Sequence, residues 1–109
     1  MPQIDEVTPS EARQCLDKGA LLLDVREVDE WERGHVEGAQ HIPLGELDFR
    51  MSEIPADREI VCMCRSGRRS TKAQTILRAL PNSRNIYNLT GGILGWVKDG
   101  LPIIGSAEE

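Results

Sequence analysis

Two continuous apolar runs, LLLDV at residues 21–25 and EIVCMC at residues 59–64, constrain the fold more than any other feature of the sequence. Neither run shows the alternation of apolar and polar residues that a strand with one solvated face requires. A run of this kind indicates a strand that is buried on both faces, as the central strands of parallel sheets are. The two runs therefore predict a sheet whose two faces are both covered.

The segments between and around these runs carry helical patterns. The sequence TPSE at residues 8–11 is a capping box with proline at the first helical position, and it predicts a helix that ends near Gly19. After the second run, helical spacing of apolar residues continues to Pro81 and is carried by Ala73, Ile76, Leu77 and Leu80. Further short helices are predicted over residues 28–33, 44–51 and after 90, and further strands over residues 4–7, 41–44 and 85–89.

Strands that alternate with helices predict an α/β domain with a mainly parallel central sheet of about five strands flanked by helices. The 109 residues contain no internal repeat and no linker, so we expect one domain over residues 1–109, with a polar tail at 105–109. In a sheet of this type, ligands bind at the carboxyl ends of the strands.

Composition excludes several classes of function. With 13 basic and 18 acidic residues, the net charge is −5, which argues against a surface for nucleic acid or anionic membrane. No stretch approaches the ~20 apolar residues of a membrane span, and the first ten residues do not read as a signal peptide. Three cysteines cannot all pair, so we expect a free thiol and a cytoplasmic location.

Positive charge is concentrated in one segment of this acidic chain. Residues 64–72 contain no acid and four basic side chains, which are Arg65, Arg68, Arg69 and Lys72. A local cluster of this size suits a small anion better than a polyanion.

Cys64 lies inside that cluster, at the carboxyl end of the second apolar run. Backbone N–H groups of a tight loop and the start of the following helix both favour a thiolate over a thiol. Gly67 gives the loop backbone its freedom, and Ser66 and Ser70 offer hydroxyl donors. Cys64 is thus predicted to be a nucleophile, and the alternative is a buried structural cysteine beside a solvated basic helix.

The other two cysteines are weaker candidates. Strand alternation places Cys62 on the same face as Cys64, where it is either a resolving thiol or, as we favour, inert core. Cys15 falls on the apolar face of the first helix. Two histidines and no ligand-spaced cysteines give little support for a metal site.

Several segments together resemble the rhodanese homology domain. They are LLLDVRE, GHVEGAQHIP, CRSGRRS, GGILGW and GLP, and they stand in the order and at the spacing of that family. The resemblance spans nearly the whole chain. It implies the three-layer rhodanese-like fold and the activity of a thiosulfate sulfurtransferase.

The resemblance also implies a division of roles around Cys64. In the family the loop cysteine takes the outer sulfur of thiosulfate, carries it as a persulfide and passes it to cyanide or a thiol, without a cofactor or a metal. Cys64 would be the carrier, and its cradle would be formed by Arg65, Ser66, Gly67, Arg68, Arg69 and Ser70. Expected partners are a small sulfur donor and acceptor, with thioredoxin or a cysteine desulfurase as protein candidates, and the chain is expected to be a monomer or a weak homodimer.

Loop length separates the related activities. Cys64 and Arg69 frame Cys-x4-Arg, the short loop of sulfur-handling members, whereas related phosphatases and arsenate reductases have one residue more. Phosphatase or arsenate reductase chemistry is kept as a second hypothesis. A third is a non-enzymatic module that binds a partner or senses redox state through Cys64.

Residues away from the loop receive supporting roles. Asp24 and Arg26 end a buried strand and are expected to brace the sheet, with Glu30 a candidate partner of the arginine. His35 and His41 are assigned to turns of the GHVEGAQHIP segment.

The remaining family residues are expected to pack. The paired glycines Gly91 and Gly92 should pass close to the loop, Trp96 should lie in the core or at its rim, and Trp31 should be a surface or edge contact.

Overall fold

The computed structural model of the chain describes residues 6–79 and 85–107. Its strands are β1 (Glu6–Val7), β2 (Leu21–Asp24), β3 (Gly34–His35), β4 (Gln40–His41), β5 (Ile60–Met63), β6 (Ile86–Leu89) and β7 (Ile104–Gly105). Its α-helices are α1 (Pro9–Asp17), α2 (Val28–Arg33), α3 (Leu47–Arg50), α4 (Arg68–Arg78) and α5 (Gly92–Lys98). Short 3-10 turns, Leu44–Glu46 and Met51–Glu53, flank α3.

Five strands form a central sheet in the order β1-β6-β5-β2-β4, and every neighbouring pair is parallel. The two apolar runs of the sequence supply β2 and β5, which lie side by side in the middle with Leu21 opposite Ile60 and Asp24 opposite Met63. The predicted α/β architecture with a parallel sheet is confirmed. Because all five strands run the same way, their carboxyl ends meet at one edge of the sheet.

Alternate residues of the central strands feed two separate hydrophobic clusters. Ile60 and Cys62 of β5 join the cluster that includes Ala73 and Leu77 of α4. Val61 and Met63 join the second cluster, on the opposite face, which also contains Ala12 of α1 and Ile93 and Trp96 of α5. The sheet is therefore covered on both faces, which explains the unbroken apolar runs.

The ends of the main helices are set by local chemistry. Thr8 and Glu11 exchange side-chain and backbone hydrogen bonds at the start of α1, so the predicted capping box is confirmed. Helix α4 begins at Arg68. Its start is set by Gly67, whose φ of +108° lies in the left-handed region that glycine adopts without strain.

The structure differs from the sequence prediction at two short strands. The strand predicted at 41–44 covers only Gln40–His41, because the chain turns at Pro43 into a 3-10 turn. The pair β3 and β7, an antiparallel two-stranded sheet, was not predicted. It includes Gly105, where a polar tail was expected to begin, and the Ser106 N–H donates to the Arg33 carbonyl at 2.8 Å.

Ile4 of the first predicted strand, Leu80 and Pro81 at the predicted end of α4, and residues 108–109 of the tail lie outside the described residues. Among the described helices, none has the length and the apolar character needed to cross a membrane.

A buried ion pair joins the end of β2 to the elements that follow it. Arg26 donates from Nε to Asp24 Oδ1 at 3.0 Å and from one terminal nitrogen to Oδ2 at 2.8 Å. The same terminal nitrogen donates to the Gly34 carbonyl at 2.7 Å. Both side chains are almost fully buried, with 2% of Arg26 and none of Asp24 exposed. Unpaired charge at this depth would be costly, so each side chain needs the other.

We predict that Asp24→Asn lowers the free energy of unfolding by about 3–5 kcal/mol, because it leaves the Arg26 guanidinium buried without a counter-charge. Urea denaturation at neutral pH measures the loss. The matched control is Asp17→Asn in the exposed Arg13–Asp17 pair, where we expect less than about 0.5 kcal/mol. Equal losses in the two variants would contradict this account of the buried pair.

Candidate active site

Cys64 lies directly after the central strand β5, and helix α5 holds the loop that follows it. The N–H groups of Ile93 and Leu94, in the first turn of α5, donate to the carbonyls of Cys64 and Arg65 at 2.8 and 3.2 Å. First-turn N–H groups have no partner within their own helix, so the loop satisfies donors that would otherwise need water. The bonds fix both loop carbonyls against α5.

Gly92 explains why the paired glycines are needed at this contact. A Cβ atom at residue 92 would lie 2.3 Å from the Arg65 carbonyl oxygen, and the φ of Gly92 is +61°. Only a residue without a side chain permits this approach. The predicted closeness of the glycines to the loop is confirmed.

The Cys64 sulfur is surrounded by hydrogen-bond donors. The Gly67 N–H donates to Sγ at 3.0 Å, and the Ser70 hydroxyl lies 3.4 Å from Sγ. The backbone N–H groups of Ser66 and Ser70 are also directed at the sulfur. Only 1% of the Cys64 surface is exposed.

These contacts decide the ionisation of the thiol. Burial by itself would raise the pKa of Cys64, but hydrogen bonds from the Ser70 hydroxyl and from the N–H groups of Ser70, Gly67 and Ser66 favour the thiolate more. The pKa of Cys64 therefore lies below its ordinary value. A thiolate held in this way is the reactive form for attack on an electrophilic sulfur.

Of the three arginines in the loop segment, Arg69 is committed to a partner. Its two terminal nitrogens donate to the two carboxylate oxygens of Glu30 at 2.7 and 2.9 Å. The Arg69 hydrogen bonds lower the pKa of Glu30 to about 2, so the pair is ionised at neutral pH. Arg69 thus ties α4 to α2, with both of its terminal nitrogens bound to the Glu30 carboxylate.

The other two arginines are exposed. Arg68 stands in the first turn of α4, and its side chain forms no hydrogen bond or ion pair with the residues that the structure describes. Arg65 is exposed in the loop itself. Both residues therefore carry positive charge at the surface of the segment that follows Cys64.

The supporting residues Asp24 and Arg26 form an ion pair at the edge of the sheet, but Glu30 has a different partner from the predicted one. Asp24 and Arg26 pair with each other at the carboxyl edge of the sheet, as a bracing role requires. Glu30 was expected to pair with Arg26, but its carboxylate binds Arg69, and only its backbone carbonyl accepts from Arg26, at 3.4 Å. The guanidinium of Arg26 is already filled by Asp24 and the Gly34 carbonyl, which explains the exchange.

Trp31, for which a surface or edge contact was predicted, is half-buried and forms a stack with both histidines. Its ring lies 3.8 Å from that of His35 and 4.7 Å from that of His41, each with an interplanar angle of 7°. His35 Nδ1 lies 2.9 Å from the Trp31 carbonyl, and His41 Nε2 lies 2.7 Å from the Arg26 carbonyl. A carbonyl only accepts, so each of these nitrogens carries a proton and donates. Both histidines were assigned to turns, but they lie in the short strands β3 and β4, where each ring is held by a backbone carbonyl.

The remaining cysteines are poor nucleophiles. Cys62 is fully buried. Its pKa is raised to about 12, mainly by burial and to a smaller extent by the charge of the neighbouring Cys64. Cys15 is half-buried, and burial raises its pKa as well.

Trp96 is fully buried and donates its indole N–H to the Pro102 carbonyl at 2.9 Å, in line with its predicted core position. Within residues 6–79 and 85–107, no group of three or more His, Cys, Asp or Glu side chains is arranged to hold a metal ion.

One site residue was missed by sequence reasoning. Asn88 of β6 is 3% exposed, accepts a hydrogen bond from the Ser70 hydroxyl and donates to the Gly67 carbonyl at 3.3 Å. The available signal was a polar residue two positions after Ile86 in a buried strand, because an amide there needs partners on the core face.

Comparison with known proteins gives concordant matches. The family model described as Rhodanese-like domain matches residues 8–99. A sulfurtransferase of Allochromatium vinosum is 43% identical over 84 residues, which cover 77% of this chain and 78% of that protein. Thiosulfate sulfurtransferase 18 of Arabidopsis thaliana is 36% identical over 122 residues, with 98% of this chain and 88% of that protein covered.

A solved structure agrees with the fold. A rhodanese-related protein of Thermoplasma volcanium matches with a TM-score of 0.83 and 28% identity, over 95% of this chain and 99% of that one. Several other curated relatives are longer, and the chain spans 43%, 60% and 25% of the length of three of them.

We predict that Glu30→Gln destabilises the protein by about 1–2 kcal/mol at pH 7, a value reduced by solvent because one third of the Arg69 side chain is exposed. The pKa of Glu30 falls from 4.5 in the unfolded chain to about 2 in the folded one. A lowered pKa stabilises the fold above pH 4.5, and this contribution is lost as the pH falls towards 2.

Urea denaturation of both proteins between pH 7 and pH 2 tests this expectation. The stability difference should disappear over the acid range, and Glu32→Gln, on the exposed face of the same helix, should show little difference at any pH. A Glu30→Gln difference that is constant across the range would argue against the ion pair.

Proposed function

The chain belongs to the family of rhodanese-like domains, and on that premise we propose that it is a sulfurtransferase that carries sulfur as a persulfide on Cys64. The observation that carries the proposal is the convergence of the Gly67, Ser66 and Ser70 donors on one buried sulfur atom. Relatives named as a sulfurtransferase and a thiosulfate sulfurtransferase support the reaction class.

The first half-reaction is attack of the Cys64 thiolate on the outer sulfur of a donor such as thiosulfate. A new S–S bond forms to Cys64, the S–S bond of thiosulfate breaks, and sulfite leaves with the electron pair. Because the lowered pKa of Cys64 already favours the thiolate, this step needs no general base. The positions of His35 in β3 and His41 in β4, with one nitrogen of each bonded to a carbonyl, agree with that.

The second half-reaction returns the enzyme to its starting state. Cyanide or an acceptor thiolate attacks the outer sulfur of the persulfide, the bond to Cys64 breaks, and Cys64 leaves as a thiolate. The donors around Sγ stabilise negative charge there in both half-reactions. A covalent intermediate of this kind gives ping-pong kinetics.

The exposed arginines suit an anionic donor. Arg68 and Arg65 are exposed residues close to Cys64 in the sequence, and we expect them to attract the sulfonate oxygens of thiosulfate as the outer sulfur approaches Cys64. Phosphatase or arsenate chemistry has less support, because the arginine of Cys-x4-Arg is Arg69 and its guanidinium is bound to Glu30.

The proposed reaction indicates which chemical classes of donor and acceptor the protein would use. We propose thiosulfate or a persulfide as donor and a thiol or cyanide as acceptor, with thioredoxin or a cysteine desulfurase as protein partners. Composition and free cysteines favour a cytoplasmic location and a reducing compartment, and we propose a monomer or weak homodimer.

We predict that the wild-type protein incubated with thiosulfate gains the mass of one sulfur atom, and that cyanide removes it with release of thiocyanate. Cys64→Ala should lose the added mass and the thiocyanate together, because no other described thiol has a lowered pKa. Intact mass spectrometry and thiocyanate assay measure both. The control Cys15→Ala should keep both signals, and persistence of either signal in Cys64→Ala would exclude the proposed carrier.

We predict that Arg68→Ala raises KM for thiosulfate by about tenfold with a smaller change in kcat, since one charge-assisted contact to the donor is lost. Steady-state kinetics with cyanide as acceptor measure the effect. Lys98→Ala removes the same charge from the last turn of α5 and should leave KM nearly unchanged. Equal changes in the two variants would indicate an effect of net charge and not a contact by Arg68.

A further inference from the structure

Asn88 is a buried amide beside the site to which neither the fold nor the proposed reaction has assigned a task. It lies on β6 in register with Cys62 of β5, and its side chain is 3% exposed. Its amide lies between the loop and the first turns of α4, in contact with Gly67 and Ser70. A buried amide is stable only when its donor and acceptor ends are both satisfied.

The Gly67 carbonyl fixes which way the amide points. Asn88 Nδ2 donates to this carbonyl at 3.3 Å, and the reversed amide would place two acceptor oxygens against each other. Asn88 Oδ1 must therefore face Ser70. An amide oxygen only accepts, so the bond between them uses the hydroxyl proton of Ser70.

The same hydroxyl is within reach of the Cys64 sulfur, at 3.4 Å from Sγ. A hydroxyl has one proton and two lone pairs, so it donates fully to one acceptor at a time. While Cys64 is protonated, its S–H can donate to the Ser70 oxygen and leave the hydroxyl proton for Asn88. When Cys64 is a thiolate, the charged sulfur is the stronger acceptor.

We propose that Asn88 is a positioning residue that competes with the Cys64 sulfur for the hydroxyl proton of Ser70. The proton goes to Sγ while Sγ is a thiolate, and to Asn88 while Sγ is protonated or bonded to a second sulfur. The second part rests on the proposed persulfide function, whereas the competition itself does not. Asn88 thereby balances the attacking thiolate against the neutral states of the sulfur.

The loop keeps its other donors without Asn88. The Gly67 carbonyl also accepts from the Thr71 hydroxyl at 2.9 Å, and the Cys64 and Arg65 carbonyls are held by α5. Removal of the Asn88 amide should therefore leave the Gly67 N–H in place against the sulfur. The main effect of a variant then passes through Ser70.

Two further titratable groups act on the sulfur, and an Asn88 variant leaves both intact. Cys62 of β5, two residues before Cys64, is a neutral thiol at physiological pH. Arg69 of α4 interacts electrostatically with Cys64, and its charge is offset by Glu30 of α2. Neither of these side chains replaces Asn88 as an acceptor for the hydroxyl proton of Ser70.

The consequence for the reaction has a definite sign. Without the Asn88 oxygen, Ser70 donates to the sulfur alone, so the thiolate becomes more stable and the pKa of Cys64 falls. A thiolate of lower pKa is a weaker nucleophile and a better leaving group. With Asn88 present, the Cys64 thiolate would thus be a stronger nucleophile toward the donor and a poorer leaving group when the sulfur is passed to the acceptor.

The test measures the pKa of Cys64 in Asn88→Leu, from the pH dependence of iodoacetamide labelling of the Cys64 peptide by mass spectrometry. We expect the pKa to decrease by about one unit, because a hydrogen bond to a charged group changes a pKa by roughly one to two units. Ser70→Ala should raise the pKa. In the Ser70→Ala background, Asn88→Leu should have no further effect, since the shared proton is gone.

Gln74 provides the matched control. It is a buried amide on α4 that donates to the Ile86 carbonyl at 2.8 Å, so Gln74→Leu also removes an amide contact between α4 and β6. It should leave the pKa of Cys64 unchanged. Asn88→Ala lacks the same acceptor and carries the same expectation as Asn88→Leu. In the wild-type protein, the Asn88 carboxamide carbon should shift in NMR spectra with the titration of Cys64.

An unchanged or raised pKa in the Asn88 variants, the same decrease in the Ser70→Ala background, or a carboxamide carbon that ignores the Cys64 titration would overturn the proposal. These readouts use labelling and NMR and require no sulfur transfer. Absence of a persulfide in the wild-type protein would reject the proposed function and leave the competition for the Ser70 proton standing.

Discussion

The peptide N–H groups of the loop after β5 point at one sulfur atom, and this follows from where β5 lies. The strand is flanked by β2 and β6, and both faces of the sheet are covered, so the chain leaves it from the protein interior. Buried N–H groups need an acceptor, and with 1% of Cys64 exposed, water has little access. The sulfur fills that need. Satisfaction of the loop backbone and stabilisation of a thiolate are thus the same set of bonds.

Three elements hold this loop from different sides. The first turn of α5 takes the Cys64 and Arg65 carbonyls, α2 holds α4 through Glu30 and Arg69, and β6 supplies the Asn88 amide. Each contact uses a group that could have served elsewhere. Arg69 is the clearest case, because its bonds to Glu30 position α4 and also offset its positive charge. Arg65 and Arg68 of the same segment are exposed.

Much of this could be predicted from the sequence because it depends on local patterns. The apolar runs at residues 21–25 and 59–64 identify the two central strands, and the position of Cys64 after the second run identifies the carboxyl edge of the sheet. The TPSE capping box sets the start of α1 in the same local way. The pair β3 and β7 has only two residues in each strand, too few to leave a pattern.

Pairing of charged and polar side chains was harder to predict. Glu30 and Arg69 are 39 residues apart, and the choice of Arg69 over Arg26 depends on Asp24 having already filled the Arg26 guanidinium. Asn88 likewise acquires its role only when β6 is placed beside β5. The start of α4 at Arg68 follows from the left-handed backbone of Gly67, which the sequence permits but does not require.

The stack of Trp31, His35 and His41 joins the two sheets of the molecule. His35 pairs in β3 with β7, and His41 pairs in β4 with β2 at the edge of the central sheet. Both imidazole rings lie parallel to the same indole of α2, and each donates to a backbone carbonyl, His35 to that of Trp31 and His41 to that of Arg26. The small antiparallel sheet is therefore joined to the large one by stacked side chains as well as by the chain itself.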